Sequence, residues 1–335
     1  MWRETTKHER NRRIFEEEFE AFLPARILDF HCHVFCDGVL QAGTTYNCAG
    51  HCISAYGLDS LRGDLAELYP GRETAAVCFG NPNVKNDFVL NNAYVAEGCD
   101  RERFFGLRLF DPREADHDAV RAELEAGRFL GIKPYLSFVR KADPNEVEIV
   151  EMLPHWIMEI INDLGQIVML HIPRKQRLAD PLNQEQLVTL CNRYPKAKIA
   201  LAHIGRAYFL RNIVGNLERL KDLPNLWYDL AMLNNWEVLE YLFQNVPAER
   251  IVYATDMPIA VAPGKSVEIN DQYTYVTTKP WPLSITDDHG KLVFTSFAYE
   301  EVRAIRKAVE RTGRDRAFVE GLFWGNGMAL LESVG

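Results

Sequence analysis

Residues 27–35 read Ile-Leu-Asp-Phe-His-Cys-His-Val-Phe, an apolar run that carries two histidines two positions apart, and the rest of the chain is read outward from it. In a β-strand alternate residues share a face, so His31 and His33 aim two imidazoles at one point. Imidazole nitrogen is a good ligand for zinc and other divalent transition metals, which makes the pair half of a metal site. Two strand-end histidines that bind nothing would have the same spacing. The other half of the site has to come from elsewhere in the chain.

Seven further apolar runs bounded by turn signals follow, at 74–79, 104–110, 131–135, 166–171, 197–203, 226–229 and 251–255. Helical patterns lie between most of them, at 58–69, 87–97, 116–126, 146–164, 183–194, 208–220 and 236–245, with apolar residues three and four apart. Runs such as IVML and KIALA are apolar throughout, as strands covered on both faces are. Eight such strands alternating with helices predict an α/β fold, a (β/α)8 TIM barrel. An open doubly wound sheet is the alternative, but no Gly-x-Gly-x-x-Gly turn follows an early strand. Two parts fall outside the repeat. Residues 4–22 read as an N-terminal helix with Phe15, Phe19 and Phe22 on one stripe. Residues 258–294 form an insertion after the eighth strand, where QYTYVTT suggests a hairpin, and are expected to act as a cap within a single domain spanning 1–335. A dimer contact is the other reading of that insertion.

The 335 residues are 47% hydrophobic and 25% charged with a formal net charge of −9, and no lysine or arginine block is present. That balance speaks against nucleic acid or an anionic membrane as partner. No apolar stretch reaches the roughly 18 residues a membrane helix needs, and the first twenty residues lack a signal-peptide core. A cytoplasmic enzyme with a small-molecule substrate, in a possible homodimer, is the expectation. Seven cysteines scattered through a long chain read as reduced thiols. Cys36, Cys48, His51 and Cys52 cluster, but at a spacing that matches no usual zinc site.

Polar residues end the predicted strands in a pattern. His31 and His33 end the first, Lys133 lies in the fourth, His171 ends the fifth, His203 the sixth and Asp256 the eighth. In a closed barrel these carboxyl ends ring one mouth, so donors from opposite strands can converge near the axis. Taken singly, His171 and His203 could be hydrogen-bonded core residues and Asp256 a helix cap. Together they point to a metal centre.

The motifs DFHCHVF, GIKPY, MLHIP, LAHIG, YATDMP and FWGNGMALL, in this order and at these strand positions, resemble the amidohydrolase superfamily. The likeness is to the branch that groups metal-dependent hydrolases with decarboxylases similar to aminocarboxymuconate-semialdehyde decarboxylase. The resemblance implies that His31, His33, His171 and Asp256 bind one divalent metal, Zn2+ in the first instance, with a water in the remaining position. Asp256 and His203 would then be catalytic, the first moving the water's proton and the second polarising the substrate. Asp29 is expected to support the histidines from the same strand face. GIKPY also resembles the position at which binuclear relatives carry a carboxylated lysine. A Lys133 bridge between two metals is therefore the alternative to the single-metal site.

The expected pocket rim contains Arg108, Tyr135, Arg174 and Arg206, together with Asn81 and Asn83. Arginine pairs bidentately with carboxylates, so a carboxylate-bearing substrate is expected, unless these arginines are occupied by the chain's own acids. Metal-activated water attacking an amide, lactone or ester is the leading function. Non-oxidative decarboxylation of an aromatic or unsaturated acid is the alternative, and a non-catalytic binding barrel is a third reading.

Overall fold

A computed structural model describes residues 9–282, 284–287 and 289–334. Eight parallel strands form the frame. Arg26–His33 pairs with Glu73–Phe79, which pairs with Phe104–Gly106. A second run of neighbours comprises Arg108–Phe110, Gly131–Pro134, Ile167–Leu170, Lys198–Leu201, Leu226–Asp229 and Ile251–Val252. The predicted third strand is thus interrupted at Leu107, whose amide still donates to Cys78 O at 2.9 Å. The opposite seam is closed by Phe30 N to Tyr253 O (2.9 Å), Asp256 N to His31 O (2.9 Å) and His33 N to Met257 O (2.8 Å). The ring is the predicted barrel.

Two apolar layers account for its stability. Leu28, Phe30, Val77, Phe79, Leu107, Ile167, Met169, Ala200, Val252 and Ala254 form one cluster, which fills the barrel. Ile27, Ala76, Ile132, Val168, Ile199 and Tyr228 belong to a second, which packs the strands against the helices. Strand neighbours alternate between the two, as the period of two requires.

The helices begin where a short polar side chain captures free amides. Asp87, Asp116, Asp180, Asn235 and Ser296 each accept from a backbone N–H two or three residues on, an interaction worth about 1 kcal/mol each. Two helical expectations change. The run 146–164 is split into Ile149–Met152 and His155–Leu164, because Pro154 lacks an amide proton and forces Leu153 out of helical geometry (φ −128°, ψ 70°). The run 208–220 keeps one turn, Leu210–Ile213, and Gly215 then turns left-handed at φ 74°.

The N-terminal helix runs from Glu9 to Ile14 and continues as a wider turn over Phe15–Phe19. Its predicted start at residues 4–8 lies outside the described residues. The insertion holds a three-stranded sheet rather than a simple hairpin. Gly264–Ile269 pairs antiparallel with Gln272–Thr277, and the latter pairs parallel with Ser284–Thr286. Asn270 and Asp271, at φ 48° and 60°, make the tight turn between the first two. Trp324 packs against the barrel-filling cluster and under Arg26, at the amino end of the first strand.

A Cβ on Gly131 would lie 1.9 Å from Ile167 O, at the pairing of the fourth and fifth strands. Gly131→Ala is expected to destabilise the fold by about 3 kcal/mol or more, through overpacking that backbone cannot relieve. Gly71→Ala, at φ 72° with open space around it, should lose about 1 kcal/mol from backbone strain alone. Thermal melting of the two variants should rank them in that order, and equal melting points would contradict the close strand approach.

Candidate metal centre

The register of the first strand slips between Asp29, opposite Ala76, and Cys32, opposite Cys78. This bulge inserts one residue and changes the phase of the side chains. Leu28 and Phe30 point into the barrel, His31 and His33 follow them inward at the mouth, and Asp29 is left on the other face. The expectation that Asp29 supports the imidazoles from their own face is corrected. Its carboxylate is instead a seam clamp, accepting from Thr255 N (2.9 Å), from the Thr255 hydroxyl and from His31 N (3.1 Å). Burial pushes its carboxyl up to about 6 against those bonds.

His31 Nδ1 lies 2.7 Å from Asp229 Oδ2, His33 Nδ1 2.9 Å from Gly80 O, and His203 Nδ1 2.9 Å from Ala231 O. Each acceptor fixes the Nδ1–H tautomer and leaves a lone pair on Nε2. Those three Nε2 atoms stand 3.5, 3.3 and 4.0 Å from the carboxylate oxygens of Asp256. Acceptors therefore face acceptors in a nearly dry site, a geometry that a cation between them resolves. Among the described residues, His31, His203 and Asp256 form the one group whose ligand atoms all lie within 4.8 Å of one another. The clustered cysteines do not form such a group, and all seven are free thiols.

Asp229 was not singled out in the sequence, although it ends the seventh strand. It is fully buried and does two jobs: Oδ2 holds the His31 ring, while Oδ1 accepts from His203 N (2.6 Å) and Ala231 N (3.2 Å). His203 begins a left-handed turn, with φ 56° at His203, 53° at Ile204, 62° at Gly205 and 62° at Arg206. Left-handed geometry costs about 1–2 kcal/mol per non-glycine residue, and a β-branched residue there is an outlier. Asp229 and the Ala207 N to His203 O bond (3.1 Å) hold it in place.

Lys133 is fully buried, with Nζ 3.5 Å from His31 Nε2 and 4.8 Å from the centre of the Phe79 ring. Burial pulls its ammonium down to about 8, with Asp229 and Asp256 opposing. His171 sits beside the group, its ring 5.4 Å from that of His203 and 4.6 Å from that of Tyr135. Its Nδ1 is buried without a hydrogen-bond partner. Burial holds His31 and His171 well below the ordinary imidazole range and pulls His203 down to about 4. Burial raises Asp256, but the surrounding imidazoles outweigh it and hold the carboxyl well below its usual range.

The expected rim divides. Arg108 follows the inward Leu107 and so points outward, where it binds Glu123 at 2.5 Å and Glu114 at 2.7 and 2.8 Å. It is removed from the pocket, and helps to line an outer groove of about 830 Å³ away from the histidines. Arg174 is held by Asp180 at 3.0 Å. Arg206 donates to Ile172 O at 3.2 Å and has no ion pair among the described residues. Tyr135 is half-buried against His171. Asn81 and Asn83 brace their own loop through Asn86, Asn91 and Lys85.

A family model described as amidohydrolase matches residues 53–284, and the chain belongs to that family. The match covers His171, His203 and Asp256 but starts beyond His31 and His33. No curated protein matches the sequence. Solved structures share the fold at low identity. An amidohydrolase from Burkholderia multivorans with bound zinc has a TM-score of 0.58 and 14% identity over 92% of this chain and 99% of that one. A 2,6-dihydroxybenzoate decarboxylase from Rhizobium has a TM-score of 0.54 and 12% identity over 93% and 100%. A 4-oxalomesaconate hydratase from Rhodopseudomonas palustris has 0.54 and 15% over 92% and 96%. The protein is thus an enzyme of the amidohydrolase superfamily, and no helix among its described residues is long and apolar enough to cross a membrane.

Asp229→Asn keeps the side-chain shape but removes the anionic partner of His31. Zinc affinity, read by chelator competition, is expected to fall about 10–100-fold, and unchanged affinity would contradict the assigned role. In the metal-free protein the buried histidines should contribute a loss of stability as pH falls. Unfolding returns His203 from about 4 to its ordinary 6.5, so between those values the unfolded chain binds more protons and stability declines on acidification. His31 and His171 act in the same sense, while Asp29, raised to about 6, and Asp229 and Glu301, also raised by burial, act oppositely. Metal-free His203→Gln is expected to lose less melting temperature than the metal-free parent between pH 7 and pH 5, and an identical pH dependence would contradict a buried neutral imidazole at this position.

Proposed function

We propose that this enzyme is a metal-dependent hydrolase that acts on an amide, lactone or ester of a small carboxylate-bearing substrate. The reading is carried by the Nε2 lone pairs of His31, His33 and His203 converging on the Asp256 carboxylate. His31, His33 and Asp256, with the unpartnered His171 as fourth donor, fit one divalent cation, and zinc suits this nitrogen and oxygen set. A cation bound there lowers the pKa of water from about 16 to about 7.

The chain's own groups do the rest. Asp256, ionised and reached by two imidazoles, accepts the water proton and returns it to the leaving group. Neutral His203 offers Nε2 as an acceptor beside it, so the earlier expectation that it polarises the substrate applies only once it is protonated. Arg206, with no carboxylate partner among the described residues, orients the substrate's acidic group.

His171→Asn and His203→Asn separate the two roles. The first is expected to lose zinc, measured by elemental analysis against about one equivalent in the parent. The second should retain zinc and lose turnover about 10²–10⁴-fold. Zinc lost from His203→Asn but kept by His171→Asn would exchange the assignments, and two equivalents that fall to one in Lys133→Ala would overturn the single-metal site. Non-oxidative decarboxylation is the second reading, favoured by the tyrosine-lined approach to His203 and by the decarboxylases among the structural neighbours. Acid release from aryl esters and lactones supports hydrolysis, whereas carbon dioxide release from hydroxybenzoates without it replaces hydrolysis by the second reading.

A further inference from the structure

The inserted sheet reaches the approach to the metal centre through two residues of its middle strand. Tyr273 and Tyr275 are two apart and share a face. Tyr208 lies between the insertion and the histidines, its ring 5.7 Å from that of His203 and 4.5 Å from that of Tyr273. Tyr275 stands edge-on to Tyr273 at 5.6 Å. The result is a narrow aromatic wall that leads outward from His203.

Arg177 sits on this wall. Its Cζ is 4.5 Å from the centre of Tyr273 and 5.6 Å from that of Tyr208, and its Nη2 donates to Tyr273 Oη at 3.2 Å. Among the described residues its guanidinium makes no ion pair and no other hydrogen bond. Arg108 and Arg174 are neutralised by Glu114, Glu123 and Asp180, whereas Arg177 and Arg206 have no carboxylate partner among the described residues. Two uncompensated guanidinium groups near one pocket, in a chain of net charge −9, make a local positive field. Their placement differs. Arg206 closes the turn that starts at His203, and Arg177 stands on the far side of Tyr208. The backbone is left-handed at Arg177 too, at φ 58°, which fixes where its side chain starts.

We propose that Arg177, held in place by Tyr273 of the insertion, is a specificity-determining residue that grips a second carboxylate of the substrate, remote from the metal. The substrate class is then a planar dicarboxylate. One acidic group lies toward Arg206, the ring lies along Tyr208 and Tyr273, and the other acidic group meets the open part of the Arg177 fork. Arginine suits this role because its planar fork matches a carboxylate with two parallel bonds, and because it stacks on aromatic faces without losing its donors. The inference rests on the proposed function only in taking the metal centre as the place of reaction.

The test is calorimetric titration of the full-length, zinc-loaded protein with isophthalate and terephthalate, each compared with benzoate. The parent protein is expected to bind at least one of the dicarboxylates about tenfold more tightly than benzoate, the gain of one charge-assisted contact. Arg177→Gln should erase that preference with benzoate affinity unchanged, and Tyr273→Phe should reduce it while keeping the cation. If Arg177→Gln fails to fold, Arg177→Lys, which keeps the charge and loses the fork, is expected to show a preference reduced several-fold. A parent without the preference, or a preference that survives in both Arg177 variants, would overturn the proposal. Because binding is read without turnover, an Arg177-dependent preference in a protein that hydrolyses nothing upholds the clamp and refutes the reaction instead.

Discussion

The bulge in the first strand is the constraint on which the rest of this structure depends. Without the extra residue between Asp29 and Cys32, period-two alternation would continue from the inward Leu28 and Phe30 and turn His31 and His33 away from the barrel axis. The bulge also frees Asp29 to reach across to Thr255 and join the first strand to the eighth. One local irregularity thus aims two imidazoles and closes the ring that carries Asp256 to meet them.

Around that seam the protein commits buried polar groups whose arrangement is costly unless something positive joins them. Asp229 ties the His31 ring to the backbone of His203, and the left-handed turn from His203 to Arg206 is held against its own conformational preference. The tautomers follow from carbonyl and carboxylate acceptors on the outer side of each ring, so the lone pairs face inward by construction. The same turn that directs His203 to the centre directs Arg206 to the pocket beside it. With the proposed roles of His203 and Arg206, four consecutive residues would couple binding to chemistry.

Much of this was legible in the sequence. Apolar runs bounded by turn signals mark all eight strands, and the histidines and Asp256 fall at their carboxyl ends because the barrel places chemistry there. What was not legible depends on local phase. Unbroken alternation puts Asp29 on the face of His31 and His33, and nearness to a strand end puts Arg108 at the rim, whereas a bulge in the first case and plain alternation in the second turn them outward. Asp229 carried a signal that could have been used, since it ends a strand as the histidines do. Arg177 could not be separated from its neighbours, because only the tertiary structure shows which arginines already have a carboxylate. The helices that failed, at 146–164 and 208–220, contain Pro154 and Gly215, and those two residues were sufficient warning.

The insertion is where this chain departs from the plain barrel, and it supplies Tyr273 and Tyr275 to the aromatic wall that leads outward from His203. A barrel with a fixed metal floor and a variable cap can change substrate without disturbing its chemistry. The floor is the central claim, and X-ray absorption at the zinc edge of the loaded protein tests it most directly. A first shell of nitrogen and oxygen alone at about 2.0–2.1 Å, with imidazole scattering beyond it, is the predicted result. A sulfur scatterer at about 2.3 Å, or a second metal at about 3.5–4 Å, would contradict it.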